Sequence, residues 1–177
     1  APALPVVAPE LPVVLKPRFG SWGRDVEVCA TKEELDAALL RAQSVRSFQD
    51  HGVIAQELIE PLGWDLRVVV AGGRVIGSAR RVAQPGEWRT NAALGAEVEP
   101  WEAPPFAQTL ALAAVRAVGG DLAGVDLLPT PDGFVVLEVN GAVDFRPLYA
   151  RVGDVYADAI AALLDPVAQQ RPVLVAV

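Results

Sequence analysis

The chain has 177 residues, 52% of them apolar and 21% charged, with a formal net charge of −7. That composition belongs to a folding globular chain with one core or two small lobes, and it excludes a disordered segment. The acidic balance excludes a general nucleic-acid binder, because it repels phosphate backbones, yet it leaves room for a phosphate ligand in a local basic pocket.

Residues 1–12 read as a Pro-rich extended lead-in, broken by Pro2, Pro5, Pro9 and Pro12 and without basic residues, so not a signal peptide. Val13-Val14-Leu15 is a short apolar strand ending at Lys16-Pro17. A Gly-rich loop follows, and then a strand around Val26–Cys29. Cys29 is the single cysteine, so an internal disulfide is excluded and a small buried hydrophobe is expected. Thr31-Lys32-Glu33-Glu34 fits a capping box and opens a helix with Leu35, Ala38, Leu39 and Ala42 at helical spacing. Val53–Leu58 is a further strand. Asp65–Ala71 and Arg74–Val82 flank Gly72-Gly73, a hairpin signal. Residues 83–104 lack periodicity and read as one long loop. Phe106–Val118 is a helix stopped by Gly119-Gly120. Leu122–Leu128 and Phe134–Val139 form a second hairpin about Pro131-Asp132, and Gly153–Leu164 is a last helix. Hairpins mean antiparallel strands, so the fold class is α+β. No run of about 18 apolar residues predicts a membrane span. A cytoplasmic chain with no membrane partner is expected.

The second hairpin carries the most informative chemistry. Glu138 and Asn140, two apart on one strand, share a face. Folding about Pro131-Asp132 sets Asp126 across from residue 137 or residue 138, depending on loop length. On the second register the Asp126 and Glu138 side chains lie about 5 Å apart. Such carboxylates repel unless a cation sits between them, and hard oxygen donors, including the Asn140 carbonyl, suit Mg²⁺. Removing both charges should then stabilise the metal-free protein. The alternative is that both acids are strand-end groups facing water.

Lys16, at the end of an apolar strand, is placed to hold a phosphate as a point charge. The loop from Gly20 through Ser21 and Trp22 to Gly23 can bring backbone N–H groups against phosphate oxygens. A snorkelling lysine beside an ordinary loop is the competing reading. Gln56-Glu57-Leu58-Ile59 ends a strand where backbone groups and Glu57 could meet an adenine ring. Asp65 and Arg67 share a face. Arg80 and Arg81 close the first hairpin, and Trp88-Arg89-Thr90-Asn91 lies in the long loop, where a basic residue could meet a transferring phosphoryl group or an acidic substrate.

In order, Pro-Val-Val-Leu-Lys-Pro, Gly-Ser-Trp-Gly-Arg, Gln-Glu-Leu-Ile, Asp-Leu-Arg-Val-Val-Val-Ala-Gly-Gly-Arg-Val, Arg-Arg with Trp-Arg-Thr-Asn, Gly-Val-Asp-Leu-Leu and Leu-Glu-Val-Asn-Gly resemble the ATP-grasp superfamily over about residues 12–165. Within it the chain is similar to the ribosomal-protein glutamate ligases and the carrier-protein glutamate or aminoadipate ligases. The resemblance implies an ATP-grasp fold of antiparallel sheets flanked by helices. It implies a small lobe over 13–60 with the phosphate-covering loop, a C-terminal lobe over 61–165 with the metal site, and a tail over 166–177. ATP and Mg²⁺ are the implied cofactors, with Mn²⁺ an allowed substitute. Lys16 and the loop from Gly20 to Gly23 would meet the ATP phosphates, and Gln56, Glu57, Leu58 and Ile59 the adenine. Asp65 would sit near the ribose or substrate, and Arg80, Arg89 and Asn91 near the acidic substrate or phosphates. Asp126, Glu138 and Asn140 would hold Mg²⁺. The implied activity joins an acidic amino acid such as glutamate to an amine on a peptide or carrier protein, through an acyl-phosphate, in an enzyme compatible with homo-oligomers. The family also has an N-terminal domain and a further phosphate-binding Lys upstream of these blocks. Without them, a non-catalytic nucleotide-binding module derived from such a ligase is the alternative.

Overall fold

The computed structural model describes residues 10–20, 22–149 and 153–165. The chain divides between Glu60 and Pro61 into two compact units. The first holds β1 (Val13–Pro17), β2 (Glu27–Cys29), α1 (Lys32–Ala42), α2 (Arg46–His51) and β3 (Val53–Glu57). Its antiparallel sheet has the order β2-β1-β3. Period-two alternation points Val13 and Leu15 of β1 inward, where they meet Cys29 and Ala38, with Leu35 and Leu39 beside them. The Thr31 box is complete: its hydroxyl accepts from the Glu34 backbone, and the Glu34 carboxylate accepts from the Ala30 and Thr31 backbone. Helix α2 was not expected. It has six residues, and its N-cap, Val45, makes no side-chain capping bond, so it lacks the usual start signal.

The second unit holds β4 (Trp64–Ala71), β5 (Arg74–Val82), β6 (Glu97–Pro100), α3 (Pro105–Ala117), β7 (Leu122–Thr130), β8 (Gly133–Asn140) and α4 (Val155–Leu164). Its sheet is antiparallel throughout, in the order β6-β5-β4-β7-β8. Helix α3 covers one face, packing Ala107, Ala111 and Val115 on Leu66, Val68, Val70, Val125 and Leu127. Helix α4 covers half of the other face, setting Val155, Ala159 and Ala162 near Val69 and Ala71. That contact is close: a Cβ on Gly72 would sit 2.2 Å from the Ala162 carbonyl oxygen.

The expected α+β class is what the structure shows. The expected long loop over 83–104 is corrected: it contains β6 and a short 3₁₀ turn, Ala92–Leu94. Strand β6 pairs only with β5, as an edge, and its sequence Glu-Val-Glu-Pro sends only Val98 toward apolar neighbours. Four residues with a single inward apolar side chain are too few for their alternation to stand out. No helix among the described residues is long and apolar enough to cross a membrane.

Candidate active site

The half of the sheet face that α4 leaves uncovered is charged. Backbone register sets Arg67 opposite Asp126, Asp126 opposite Glu138, and Asp65 opposite Arg81. Directly opposed residues share a face, so these five side chains, with Asn140 two residues beyond Glu138, belong to one surface. Asp65 is 1% exposed and Asp126 5%, while Glu138 is exposed and Asn140 half-buried.

Buried charges persist only when paired and hydrogen-bonded, and these are. Arg67 forks onto both oxygens of Asp126, donating from Nη2 to Oδ2 at 2.9 Å and from Nε to Oδ1. Arg81 forks onto Asp65, with Nε 2.7 Å from Oδ1, and its Nη2 also lies 3.1 Å from Asp126 Oδ2. The Thr90 hydroxyl donates to Asp65 Oδ2 at 2.6 Å, and Asn140 Nδ2 reaches Asp126 Oδ2 at 3.4 Å. Arg67 lies across Gly124, where a Cβ would come within 2.9 Å of its Nη1. Burial pushes the Asp65 carboxyl above its ordinary value, against the lowering effect of the Arg81 and Thr90 bonds. Burial also opposes the charge on Arg81, but the bond to Asp65 and the charges of Asp126 and Asp65 outweigh it and raise its pKa.

Three oxygen-bearing groups, Asp126, Glu138 and Asn140, therefore stand together on one face with two guanidiniums beside them. Among the described residues, no group of three or more His, Cys, Asp or Glu gathers as a metal site; this trio reaches three oxygen donors only with the Asn140 carboxamide. Two carboxylates and a carboxamide suit a hard cation that keeps part of its water shell. The guanidiniums suit the phosphates such a cation accompanies. The residues fit MgATP in donor type and charge.

The structure does not bring Arg80 into this cluster. Opposite Leu66, it lies on the α3 face, donating from Nε to Glu99 at 2.8 Å and stacking on Trp101 with its guanidinium carbon 4.8 Å from the ring centroid. The reason is a β-bulge in the β4–β5 ladder between Val69 and Val70. An unbulged hairpin would set Asp65 opposite Arg80; the extra residue shifts the register by one and presents Arg81 instead. Arg67, Arg81 and Thr90 are thus the members that the sequence reading left without a role, and the shared Asp65/Arg67 face was its one usable signal. Asp65 is too buried to present surface to a ribose; its oxygens hold Arg81 and Thr90. Arg89 pairs with Glu87 within its own loop, and Asn91 caps the 3₁₀ turn through its carbonyl, which accepts from Leu94 at 2.9 Å.

In the first unit, Lys16 and Gln56 share the sheet face turned away from α1, since Val14 pairs with Gln56 and Lys16 with Ile54. Lys16 is half-buried. Glu57 is exposed, Leu58 and Ile59 are half-buried, and the Leu58 N–H donates to the Pro12 carbonyl at 3.1 Å. In the loop, Gly20 sits tightly against Pro17. Trp22 and Gly23 adopt left-handed φ values of 65° and 67°, and the Arg24 guanidinium stacks 4.7 Å from the centroid of Trp22, which is 57% exposed. Ser21 lies outside the described residues, as does the expected tail over 166–177.

The family described as RimK-like ATP-grasp domain matches residues 4–164. A probable alpha-L-glutamate ligase of Alkalilimnicola ehrlichii is 31% identical over 159 residues, which make up 90% of this chain and 52% of that protein. The crystal structure of a RimK domain protein ATP-grasp from Sphaerobacter thermophilus is 27% identical with a TM-score of 0.60, over 88% of this chain and 54% of that one. D-alanine–D-alanine ligase from Bacillus anthracis, complexed with ATP, shares the fold at 21% identity and a TM-score of 0.58, over 85% of this chain and 47% of that one. The chain spans about half the length of the curated relatives it matches.

Proposed function

Because the chain belongs to the RimK-like ATP-grasp family, we propose that it supplies the nucleotide-binding part of an ATP- and Mg²⁺-dependent carboxylate–amine ligase. The observation that carries this reading is the single face bearing Asp126, Glu138 and Asn140 with Arg67 and Arg81 beside them. Asp126, Glu138 and Asn140 would hold the cation. Mg²⁺, when bound, offsets charge on the phosphates during transfer. Arg67 and Arg81 place two fixed positive charges within hydrogen-bond distance of Asp126, which offsets the negative charge a triphosphate brings. Lys16 and the Gly20–Gly23 loop would serve the phosphates, and the Gln56–Ile59 segment the adenine.

In the proposed reaction, a carboxylate oxygen of the donor attacks the γ-phosphorus, and the bond to the ADP oxygen breaks, leaving an acyl-phosphate. An amine then attacks the acyl carbon, loses a proton and expels inorganic phosphate, forming an amide. The relatives' names support glutamate or a similar acidic amino acid as the unit joined. A peptide acceptor belongs to this reading; ATP-grasp ligase PsnB, which shares the fold, is solved in complex with a precursor peptide.

The test is thermal. MgATP at 100 times its Kd should stabilise the folded chain by about 2.7 kcal/mol and raise its melting temperature accordingly. Glu138 is exposed, so Glu138→Gln should leave the ligand-free melt unchanged while removing the magnesium-dependent part of the shift. A folded chain that shows no shift with millimolar MgATP ends the nucleotide assignment. Acceptor-dependent ADP release separates a ligase from a module that only binds.

A further inference from the structure

We propose that Thr90 is a positioning residue whose hydroxyl ties the 84–96 loop to Asp65 and thereby fixes the orientation of the Arg81 guanidinium. The loop is braced within itself. Gln84 Nε2 donates to the Gly95 carbonyl at 2.7 Å, which joins its two ends. The Glu87 carboxylate accepts from the backbone N–H groups of Trp88 and Arg89 at 3.0 and 2.9 Å and grips the Arg89 guanidinium, with Nε at 2.9 Å and Nη2 at 2.8 Å. At the apex of this braced body, Thr90 donates to Asp65 Oδ2 at 2.6 Å.

Asp65 has two groups to satisfy it. Arg81 forks onto both of its oxygens and Thr90 onto one, which Arg81 also uses. The carboxylate is 1% exposed, so a donor lost there is not replaced by bulk water. The Thr90 bond is the one that holds the carboxylate plane from outside the fork, and a planar fork turns with that plane. Arg81 reaches from Asp65 to Asp126 Oδ2 at 3.1 Å, so rotation at Asp65 changes the contact at the carboxylate that the ligase reading gives to the cation. Thr90 therefore acts through Asp65 and Arg81, and couples the seat of Arg89 to the charged face. In a low-dielectric network each bond polarises the next, and the loss of one is felt along it.

Two measurements on the 177-residue chain test this, comparing wild type, Thr90→Ser and Thr90→Val. Ser keeps the hydroxyl; Val keeps the shape and removes it. In the ligand-free chain, solvent exchange of the Arg81 Nε–H, followed by NMR, should rise about tenfold in the Val variant, the scale of one lost hydrogen bond, and stay at the wild-type rate in the Ser variant. The Nε–H of Arg74, whose guanidinium pairs through Nη2 with Asp165 at the far end of β5, should not change in either variant. The Kd for MgATP, measured well below the melting temperature, should weaken about tenfold in the Val variant and recover with Ser. Wild-type Arg81 exchange in the Val variant overturns the proposal, as does equal acceleration at Arg74, which would mean general loosening. The ligand measurement alone rests on the ligase reading. If wild type binds no MgATP, that reading falls, and the Arg81 exchange still decides the role of Thr90.

Discussion

Asp126 shows how a cluster of like charges resolves when its neighbours are counted. From the sequence, two carboxylates facing each other imply repulsion in the metal-free protein and a gain on removing them. In the structure, the repulsion is met by Arg67 and Arg81, both bonded or paired to Asp126 in a buried setting. The sign of the expectation reverses: Asp126→Asn leaves two buried guanidiniums short of a counter-charge. Breaking one partner out of such a set costs about 3–5 kcal/mol, so the ligand-free melt of Asp126→Asn should fall well below wild type, while Glu138→Gln should not. Glu87 gives a pH-dependent case. The bonds from the Arg89 side chain and backbone hold its carboxyl down to about 2, against an ordinary 4.5. A depressed acid contributes stability that is present above 4.5 and is lost as pH falls through about 2. Carboxyl ¹³C titration should place Glu87 near 2 in wild type and clearly higher in Arg89→Met, though still below 4.5 because the backbone N–H bonds remain.

At the scale of elements, most of the fold was legible because most of it follows local rules. The Thr31 box, the Gly72-Gly73 turn and the Pro131-Asp132 turn each name their own element, and each element lies where its signal sits. What local rules cannot carry is register. A bulge in the β4–β5 ladder exchanges Arg80 for Arg81 opposite Asp65, and a second, between Asp126 and Leu127, sets Asp126 against Glu138 rather than Leu137. Each inserts one residue, and one residue reverses which side chains share a face. The sequence left the second choice open and had no means of seeing the first. Close packing of elements is equally invisible until the partner is known. Gly72, at φ 53°, reads as an ordinary turn glycine, yet its missing Cβ is what lets the β4–β5 turn touch the α4 backbone. Gly72→Ala should cost about 1–3 kcal/mol through overpacking and strain. Gly86→Ala also places a Cβ at positive φ but in open space, so it is the control for backbone strain alone. Equal urea midpoints for the two variants would remove the packing argument.

For the whole molecule, the family was legible because seven short blocks stand in order, although none is decisive alone, and the match over residues 4–164 agrees with that order. The roles of particular residues were less so, because they depend on which chain segments meet. The distribution of tryptophan between the two units has a practical consequence. The first unit contains Trp22 alone, exposed beneath the Arg24 guanidinium. The second contains Trp88 and the Trp64–Trp101 pair, whose ring centroids lie 4.8 Å apart at 41°. Rings that close and that inclined couple their excited states and give a paired band in near-ultraviolet circular dichroism, whereas a lone exposed indole gives red-shifted emission open to quenching by iodide. The second unit thus carries an optical label that the first lacks, and its melting can be watched in the presence of the first without attaching a dye.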